Sequence, residues 1–296
     1  MFETKLASHI KLHSIVFIYG FTAILGKLIS ISAVQLVWYR VMIAAVSFLI
    51  ILKINRISLI VSRKEAIRLL SAGLIVAAHW ITFFGAVKLS NVTVTLGTLA
   101  TTAVFTGLIE PFYFKKKIDF VEILIGVITV IGLYLIFQFE TRYWQGVVTA
   151  LISAALAGWF TVINKKLVEV HRARVITFYE MVGGFIGISL FLLIGGNTEQ
   201  ILIIPTQTDI IYLLILGIVC TAFAFTIQVD VMKQLTAYIV SLTINLEPVY
   251  GIIFAYLIFG ESEFMSMGFY IGTAIILITV FGYPVYDSYN RKKILG

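Results

Sequence analysis

The sequence predicts an all-α integral membrane protein with ten transmembrane helices, arranged as two inverted five-helix repeats with both termini in the cytoplasm. Three observations predict this fold: the apolar composition, the spacing of the apolar stretches and the placement of Lys and Arg. Of the 296 residues, 60% are hydrophobic and 12% are charged, whereas soluble domains are roughly 45–50% apolar and about 25% charged. Lipid must therefore solvate much of the surface, which excludes a secreted domain, a cytosolic enzyme and a disordered protein.

The apolar stretches are long enough to cross a membrane as helices. About 20 consecutive apolar residues span the hydrocarbon core, and charges or turn residues divide this chain into ten stretches of that order. The stretches are continuously apolar rather than alternating, which favours helices over the strands of a closed barrel. Very short connections predict antiparallel neighbours. The predicted spans are residues 12–32, 34–53, 69–88, 91–114, 120–138, 145–163, 174–194, 210–232, 236–259 and 266–286.

The basic residues predict the orientation of these spans. Cytoplasmic loops collect Lys and Arg, and with both termini inside, 18 of the 22 Lys and Arg residues fall on inner segments. The outer segments hold Lys88 and Arg142, while Lys27 and Arg40 lie within spans. Membrane topology thus explains the net charge of +7, and no nucleic-acid partner is expected. The N-terminus carries Glu3 and no small-residue cleavage site follows, so we expect the first span to be retained.

The two halves of the chain resemble each other. The matching segments are 20–27 with 158–165, 39–40 with 179–180, and 89–126 with 235–272. They predict a first repeat over 1–138 and a second over 145–296. Because each half has five spans, the second half enters the membrane from the opposite side. Such inverted repeats are typical of secondary transporters, whose substrate site lies near the bilayer midplane where the repeats meet.

Several motifs connect the chain to a known family: Gly20-Phe21 to Lys27, Tyr39-Arg40, the segment 79–86, Glu247-Pro248-Val249-Tyr250 and Gly260-Glu261. With them the sequence resembles the EamA-type transporters of the drug/metabolite transporter superfamily, over residues 14–138 and 145–285. The resemblance implies a ten-helix carrier in which helices 1–4 and 6–9 surround a central cavity and helices 5 and 10 are peripheral. It also implies export of amino acids or other small metabolites. The chain departs from its own repeat where Thr102 stands opposite Pro248.

Four charged residues inside spans or at their ends are candidates for gating or charge pairing. A charge near the bilayer centre costs about 2.5–3.5 kcal/mol on insertion scales, so each is a functional candidate. Lys165 and Glu180 lie toward the inner side and predict an ion pair or gate, although Lys165 can also snorkel to the interface. Lys27 and Arg40 lie toward the outer side without an evident acidic partner. Either they snorkel or pair with Glu247, or they bind an anionic group such as a substrate carboxylate.

Polar and aromatic residues at similar depth predict a cavity. His79 either makes an interhelical hydrogen bond or contacts substrate, and a role as proton carrier is a further alternative. Hydroxyl stripes run along span four and span nine at helical spacing, where Ser and Thr can also serve close helix packing. Pro248 removes one helix hydrogen bond and predicts an irregular span nine. The predicted cavity residues are Trp38, His79, Phe83, Thr98, Thr102, Trp159, Asn245 and Glu247.

Three classes of function compete: a carrier, an intramembrane enzyme, and a channel or receptor. No His-Glu-x-x-His or Gly-x-Ser-x-Gly motif is present, and four His and one Cys make a metal site hard to build, so we expect no enzyme, metal or cofactor. We expect a secondary transporter that exports a small, amino-acid-like metabolite by alternating access. The alternative is an uptake carrier or facilitative channel for a sugar or nucleoside. The expected partners are this substrate and membrane lipid, in the inner membrane of a prokaryote, with the chain a monomer or weak homodimer.

Overall fold

The computed structural model describes residues 2–115, 120–195 and 203–295, and within these ranges all regular structure is helical. The predicted Lys116 and Lys117 of the inner basic segment lie outside them. The helices are α1 (Phe2–Gly20), α2 (Thr22–Leu28), α3 (Ala33–Ile54), α4 (Arg63–Leu89), α5 (Val92–Leu99), α6 (Thr102–Phe114), α7 (Phe120–Phe139), α8 (Trp144–Leu167), α9 (Ala173–Ile194), α10 (Gln207–Leu214), a π-helical segment (Ile215–Phe223), α11 (Ala224–Val231), α12 (Ala237–Ile244), α13 (Glu247–Phe259) and α14 (Met267–Leu295).

Eight helical stretches of the described chain are long and apolar enough to cross a membrane. They are Lys5–Leu28, Ala33–Ile54, Arg63–Leu89, Val92–Phe114, Thr141–Leu167, Ala173–Ile194, Gln207–Val231 and Ala237–Glu263. The apolar parts of α7 and α14 that are described, Gly126–Phe139 and Met267–Thr279, are shorter. The chain is therefore an all-helical, multi-pass membrane protein, and the count of ten spans stays a prediction.

Several of the spans are interrupted near their middle. Span nine breaks between α12 and α13, as Pro248 near the start of α13 predicts. Span four breaks between α5 and α6 without a proline. There Thr101 and Thr102 donate their hydroxyls to the carbonyls of Thr98 and Leu99, at 2.9 and 2.7 Å. Such side-chain bonds compete with the backbone hydrogen bonds of the helix. They explain a break at a position where the sequence has no helix-breaking residue.

Glycines allow close contacts between helices, and the contact between α7 and α14 is reciprocal. A methyl group on Gly132 of α7 would lie 2.8 Å from the carbonyl oxygen of Gly272 of α14, and one on Gly272 would lie 2.6 Å from that of Gly132. Both distances are below the van der Waals limit, so only glycine fits at either position. The two helices therefore meet backbone to backbone.

A second pair of glycine contacts joins one half of the chain to the other. A methyl group on Gly20 would lie 3.0 Å from the Cβ of Tyr250, and one on Gly158 would lie 3.1 Å from the Cβ of Phe105. Gly158 follows Gly20 by 138 residues and Tyr250 follows Phe105 by 145. The offsets are close to those that relate the two halves of the sequence, so matching positions make matching contacts.

Candidate functional site

A cavity of about 70 Å³ lies where the interrupted helices meet. It has room for a small solute or a few ordered water molecules. Neither α7 nor α14 contributes a described residue to its wall. Its aromatic side chains are Tyr19, Trp80, Phe83, Phe160 and Phe225. Its other polar side chains are Thr22, Arg40, His79, Thr102, Thr161, Gln228, Ser241 and Glu247.

Arg40 is the cation of the cavity and is only 2% exposed. Its Nε donates to the Thr221 hydroxyl at 2.7 Å, and that hydroxyl donates in turn to the Leu216 carbonyl at 2.7 Å, inside the π-helical segment. One terminal nitrogen is buried without a hydrogen-bond partner. Within the described ranges no carboxylate forms an ion pair with the guanidinium. Arg40 is thus held in place while part of its donor capacity is unused.

Glu247 supplies the acidic group of the cavity. It is buried at the start of α13, where a helix N-terminus favours a carboxylate, and it lines the same cavity as Arg40. Among the described residues, none forms a hydrogen bond or ion pair with its side chain. The cavity therefore presents one cationic and one acidic group, each still able to bind a solute.

Hydrogen-bonding groups complete the polar wall. His79 meets Ser153 on α8, with its Nδ1 2.8 Å from the Ser153 hydroxyl and 3.0 Å from the Ser153 carbonyl oxygen. The imidazole thus makes an interhelical hydrogen bond while its ring also lines the cavity. The hydroxyl stripes of spans four and nine meet where Thr106 and Ser241 are 2.8 Å apart.

Tyr19 and Gln228 line the cavity although neither is among the predicted cavity residues. The Tyr19 hydroxyl donates to Oε1 of Gln228 at 2.7 Å, which ties α1 to α11. The position of Tyr19, directly before the Gly20-Phe21 motif, was the available signal. The sequence gives no signal for Gln228, because its partner Tyr19 lies 209 residues away.

Four of the predicted cavity residues do not line this cavity. Thr98 is buried with an unpartnered hydroxyl, and Asn245 donates its side-chain amide to the Ala100 carbonyl at 2.6 Å. The indole of Trp38 donates to the Ser189 hydroxyl at 2.9 Å, and Trp159 is 48% exposed on the surface of the bundle. His79, Phe83, Thr102 and Glu247 are the predicted residues that the structure places together in the wall.

Two of the predicted gating residues, Lys27 and Lys165, have partners other than those expected. Lys27 forms an ion pair with Glu263 at 2.7 Å, so the missing acidic partner is supplied by the turn after α13. The Lys165 ammonium donates to the Met232 carbonyl at 2.7 Å. The predicted ion pair between Lys165 and Glu180 is therefore not formed, because the lysine turns toward the end of α11.

A buried polar cavity between interrupted helices of a multi-pass membrane protein is typical of membrane transporters for small molecules. The model of the EamA-like transporter family matches residues 9–138 and 144–283, nearly the whole chain. The chain therefore belongs to the EamA-like transporter family. This result confirms the resemblance noted in the sequence.

Two further comparisons agree with this membership. A protein of Clostridium kluyveri named "Uncharacterized transporter" is 28% identical over 200 residues, which are 65% of this chain and 62% of that protein. The chain thus matches less than two thirds of that relative's length. A solved structure described as "Crystal structure of protein" superposes with a TM-score of 0.67 at 12% identity, covering 93% of this chain and 97% of the other. At that identity the likeness shows the fold alone.

Proposed function

We propose that this chain is a secondary transporter that exports a small, amino-acid-like metabolite by alternating access. The observation that carries the proposal is the pair Arg40 and Glu247, which line one buried cavity without an ion pair between them. A zwitterion would satisfy both groups, its carboxylate on the guanidinium and its ammonium on the carboxylate. Charge-assisted hydrogen bonds of this kind are the strong ones in buried sites.

The rest of the wall suits the same class of solute. Trp80, Phe83, Phe160 and Phe225 give the cavity an apolar side that would accept a small aliphatic side chain. Thr102 and Ser241 lie on the interrupted helices and offer hydroxyls for the polar end of the solute. Small-molecule sites commonly combine apolar walls with a few placed polar groups. L-Valine, a zwitterion with a compact apolar side chain, is therefore a suitable first test substrate.

The mechanism that we propose uses two inverted five-helix repeats. The eight candidate spans and the two shorter apolar helices of the described chain support a count of ten, and the placement of 18 of 22 basic residues supports cytoplasmic termini. The matched contacts of Gly20 with Tyr250 and of Gly158 with Phe105 support the repeat. Rocking of the two repeats about the cavity would open it to each side in turn. The family resemblance supports export as the direction and the inner membrane of a prokaryote as the location.

The alternative is an uptake carrier or facilitative channel for a sugar or nucleoside. It is favoured by the neutral hydrogen-bonding groups of the wall, Tyr19, His79 and Gln228, which could bind hydroxyls without any charge. That substrate class would leave Arg40 and Glu247 without a role in recognition.

Counterflow in proteoliposomes tests the proposal. The full chain would be reconstituted with labelled L-valine, D-glucose or uridine outside and the unlabelled solute inside. We expect trans-stimulated uptake of L-valine that falls about tenfold or more in Arg40→Gln and Glu247→Gln, because each loses a buried charged hydrogen bond. Arg142→Gln, at an exposed outer position, is the matched control. Exchange of glucose or uridine in place of L-valine would favour the alternative, and uptake without trans-stimulation would contradict a carrier.

A further inference from the structure

A groove of about 710 Å³ lies between the two halves of the chain, away from the cavity of Arg40. The first half contributes α1, α3 and the segment after α3, and the second half contributes α9, the π-helical segment and α11. The charged side chains of the groove are Lys11, Arg172, Arg174, Asp230 and Lys233. Its large apolar side chains are Phe48, Ile51, Ile57, Ile218, Phe223 and Ile227. Among the described residues none lines both the groove and the cavity, so the two are separate sites.

One end of the groove is strongly basic. Asp230 and Lys233 form an ion pair at 2.5 Å and neutralise each other. In the ranges that the structure describes, the side chains of Lys11, Arg172 and Arg174 form no ion pair, and all three are exposed. Each lies near the end of a span, on the side that the distribution of Lys and Arg predicts to be cytoplasmic. Four basic groups against one acid leave a net charge of +3 at this end, which attracts an anion.

The apolar wall of the groove leads from the basic end into the hydrocarbon region. Ile218 and Asp230 lie 12 residues apart on one span, which is about 18 Å along a helix at 1.5 Å per residue. One leaflet contributes about 15 Å of hydrocarbon, half of the bilayer core. Ile218 and Phe223 are 44% and 54% exposed, and large apolar side chains exposed at this depth are solvated by lipid chains rather than by water. The groove thus combines a basic end with an apolar wall as deep as one leaflet.

We propose that the groove binds one anionic phospholipid of the cytoplasmic leaflet, at a site that goes beyond the proposed function. The lipid phosphate binds the guanidinium groups of Arg172 and Arg174, whose planar donors match phosphate oxygens, and Lys11 adds a third positive charge. One acyl chain follows Ile218 and Phe223 into the membrane. Basic pockets between transmembrane helices bind acidic lipid headgroups in this way. Because both halves of the chain contact the lipid, its binding stabilises the folded chain by mass action.

Native mass spectrometry of the full chain in detergent tests the lipid and its headgroup. With dioleoyl phosphatidylglycerol or dioleoyl phosphatidylcholine added, we expect one phosphatidylglycerol molecule to bind at concentrations at which phosphatidylcholine does not. The double variant Arg172→Gln/Arg174→Gln should bind it about tenfold more weakly, because charge-assisted bonds to the phosphate are lost. Arg63→Gln/Lys64→Gln removes the same charge from exposed positions outside the groove and is the matched control. Equal weakening in both double variants, or equal binding of the two lipids, would overturn the proposal.

Thermal unfolding separates a phospholipid from a free phosphate ion. We expect phosphatidylglycerol to raise the unfolding temperature of the wild type and sodium phosphate at the same concentration to leave it unchanged. Phe223→Ala should reduce this rise about twofold, because apolar contact with the acyl chain is lost. Phe191→Ala, at a similarly exposed position of α9 outside the groove, should keep the full rise. A rise with phosphate alone, or a full rise in Phe223→Ala, would overturn the lipid site. Neither measurement uses a transported substrate, so the result is independent of the proposed function.

Discussion

The guanidinium of Arg40 lies over the indole of Trp80, with its Cζ 3.8 Å from the ring centroid. A cation over the face of Trp gains up to about 2 kcal/mol when the pair is desolvated. The aromatic ring thus stabilises the charge inside the membrane without neutralising it, as an ion pair would. Arg40 can therefore remain cationic without an ion-pair partner in the protein and still bind an anionic group of a substrate.

Arg40→Lys should show that the shape of the cation matters as well as its charge. Lysine lacks the planar group that stacks on Trp80 and donates sideways to Thr221. We expect counterflow of L-valine to fall about tenfold, which corresponds to the loss of roughly 1.4 kcal/mol of binding free energy. Initial rates in proteoliposomes with equal amounts of folded protein would measure it. Arg142→Lys is the exposed control, and equal rates for both variants would count against the role of Arg40.

Asn245→Ala should destabilise the interrupted helices rather than remove a lining group. The Asn245 amide donates to the Ala100 carbonyl at 2.6 Å and thereby joins the breaks of spans nine and four. Loss of this buried bond should lower the free energy of unfolding by about 1–3 kcal/mol. Thermal unfolding in detergent would measure the change. Asn55→Ala removes an exposed bond to the Ile51 carbonyl and should change the stability far less; an equal loss would refute the prediction.

Glu263 should matter more to stability than its partner Lys27. The Glu263 side chain is fully buried and, besides the lysine, accepts the backbone N–H groups of Val92 and Thr93 at 3.3 and 2.8 Å. Glu263→Gln should therefore cost about 1–3 kcal/mol, since a charged acceptor for the start of α5 is lost. Lys27→Gln should cost less than about 1 kcal/mol, because the ammonium is partly exposed. A double-mutant cycle by thermal unfolding checks this, and a larger loss for Lys27→Gln would contradict it.

Gly73→Ala should disturb the contact between α4 and α9. The added methyl group would overlap the carbonyl of Glu180, which is backbone and cannot move aside alone. Overpacking of this kind costs typically 1–3 kcal/mol. Gly126→Ala is the control, because a methyl group on Gly126 would meet no atom within 4 Å. The unfolding temperatures of the two purified variants should differ clearly; similar temperatures would show that the contact is looser than described.

Much of the fold could be predicted because lipid imposes a simple rule on the chain. Long apolar stretches mark the spans, although α4 begins at Arg63, before the predicted residue 69, because its charged first turns can lie outside the hydrocarbon. The break in span nine was visible at Pro248. The break near Ala100 could not be predicted, because threonine residues whose hydroxyls compete with backbone hydrogen bonds also occur in uninterrupted helices.

The sequence could predict how deep in the membrane each site residue lies, but not in which direction its side chain points. Arg40, His79, Thr102 and Glu247 were recognised because a polar group inside a span is costly wherever it points. The sequence could not tell whether Trp159 or its neighbour Phe160 faces the cavity. Phe160 lines it and Trp159 is exposed, because a step of one residue turns a helix by about 100°. Contacts between distant turns and spans likewise depend on how the helices pack.

In the proposed mechanism, two halves of opposite orientation enclose the cavity, and labelling of single cysteines in intact cells can detect this arrangement. Cysteines would replace Ile60, Glu169, Arg142 and Glu261, which all lie outside the apolar cores of the spans. With a membrane-impermeant maleimide, we predict that positions 142 and 261 react in intact cells and that positions 60 and 169 react only after lysis. Reaction of positions 60 and 169 from opposite sides of the membrane would contradict the inverted arrangement.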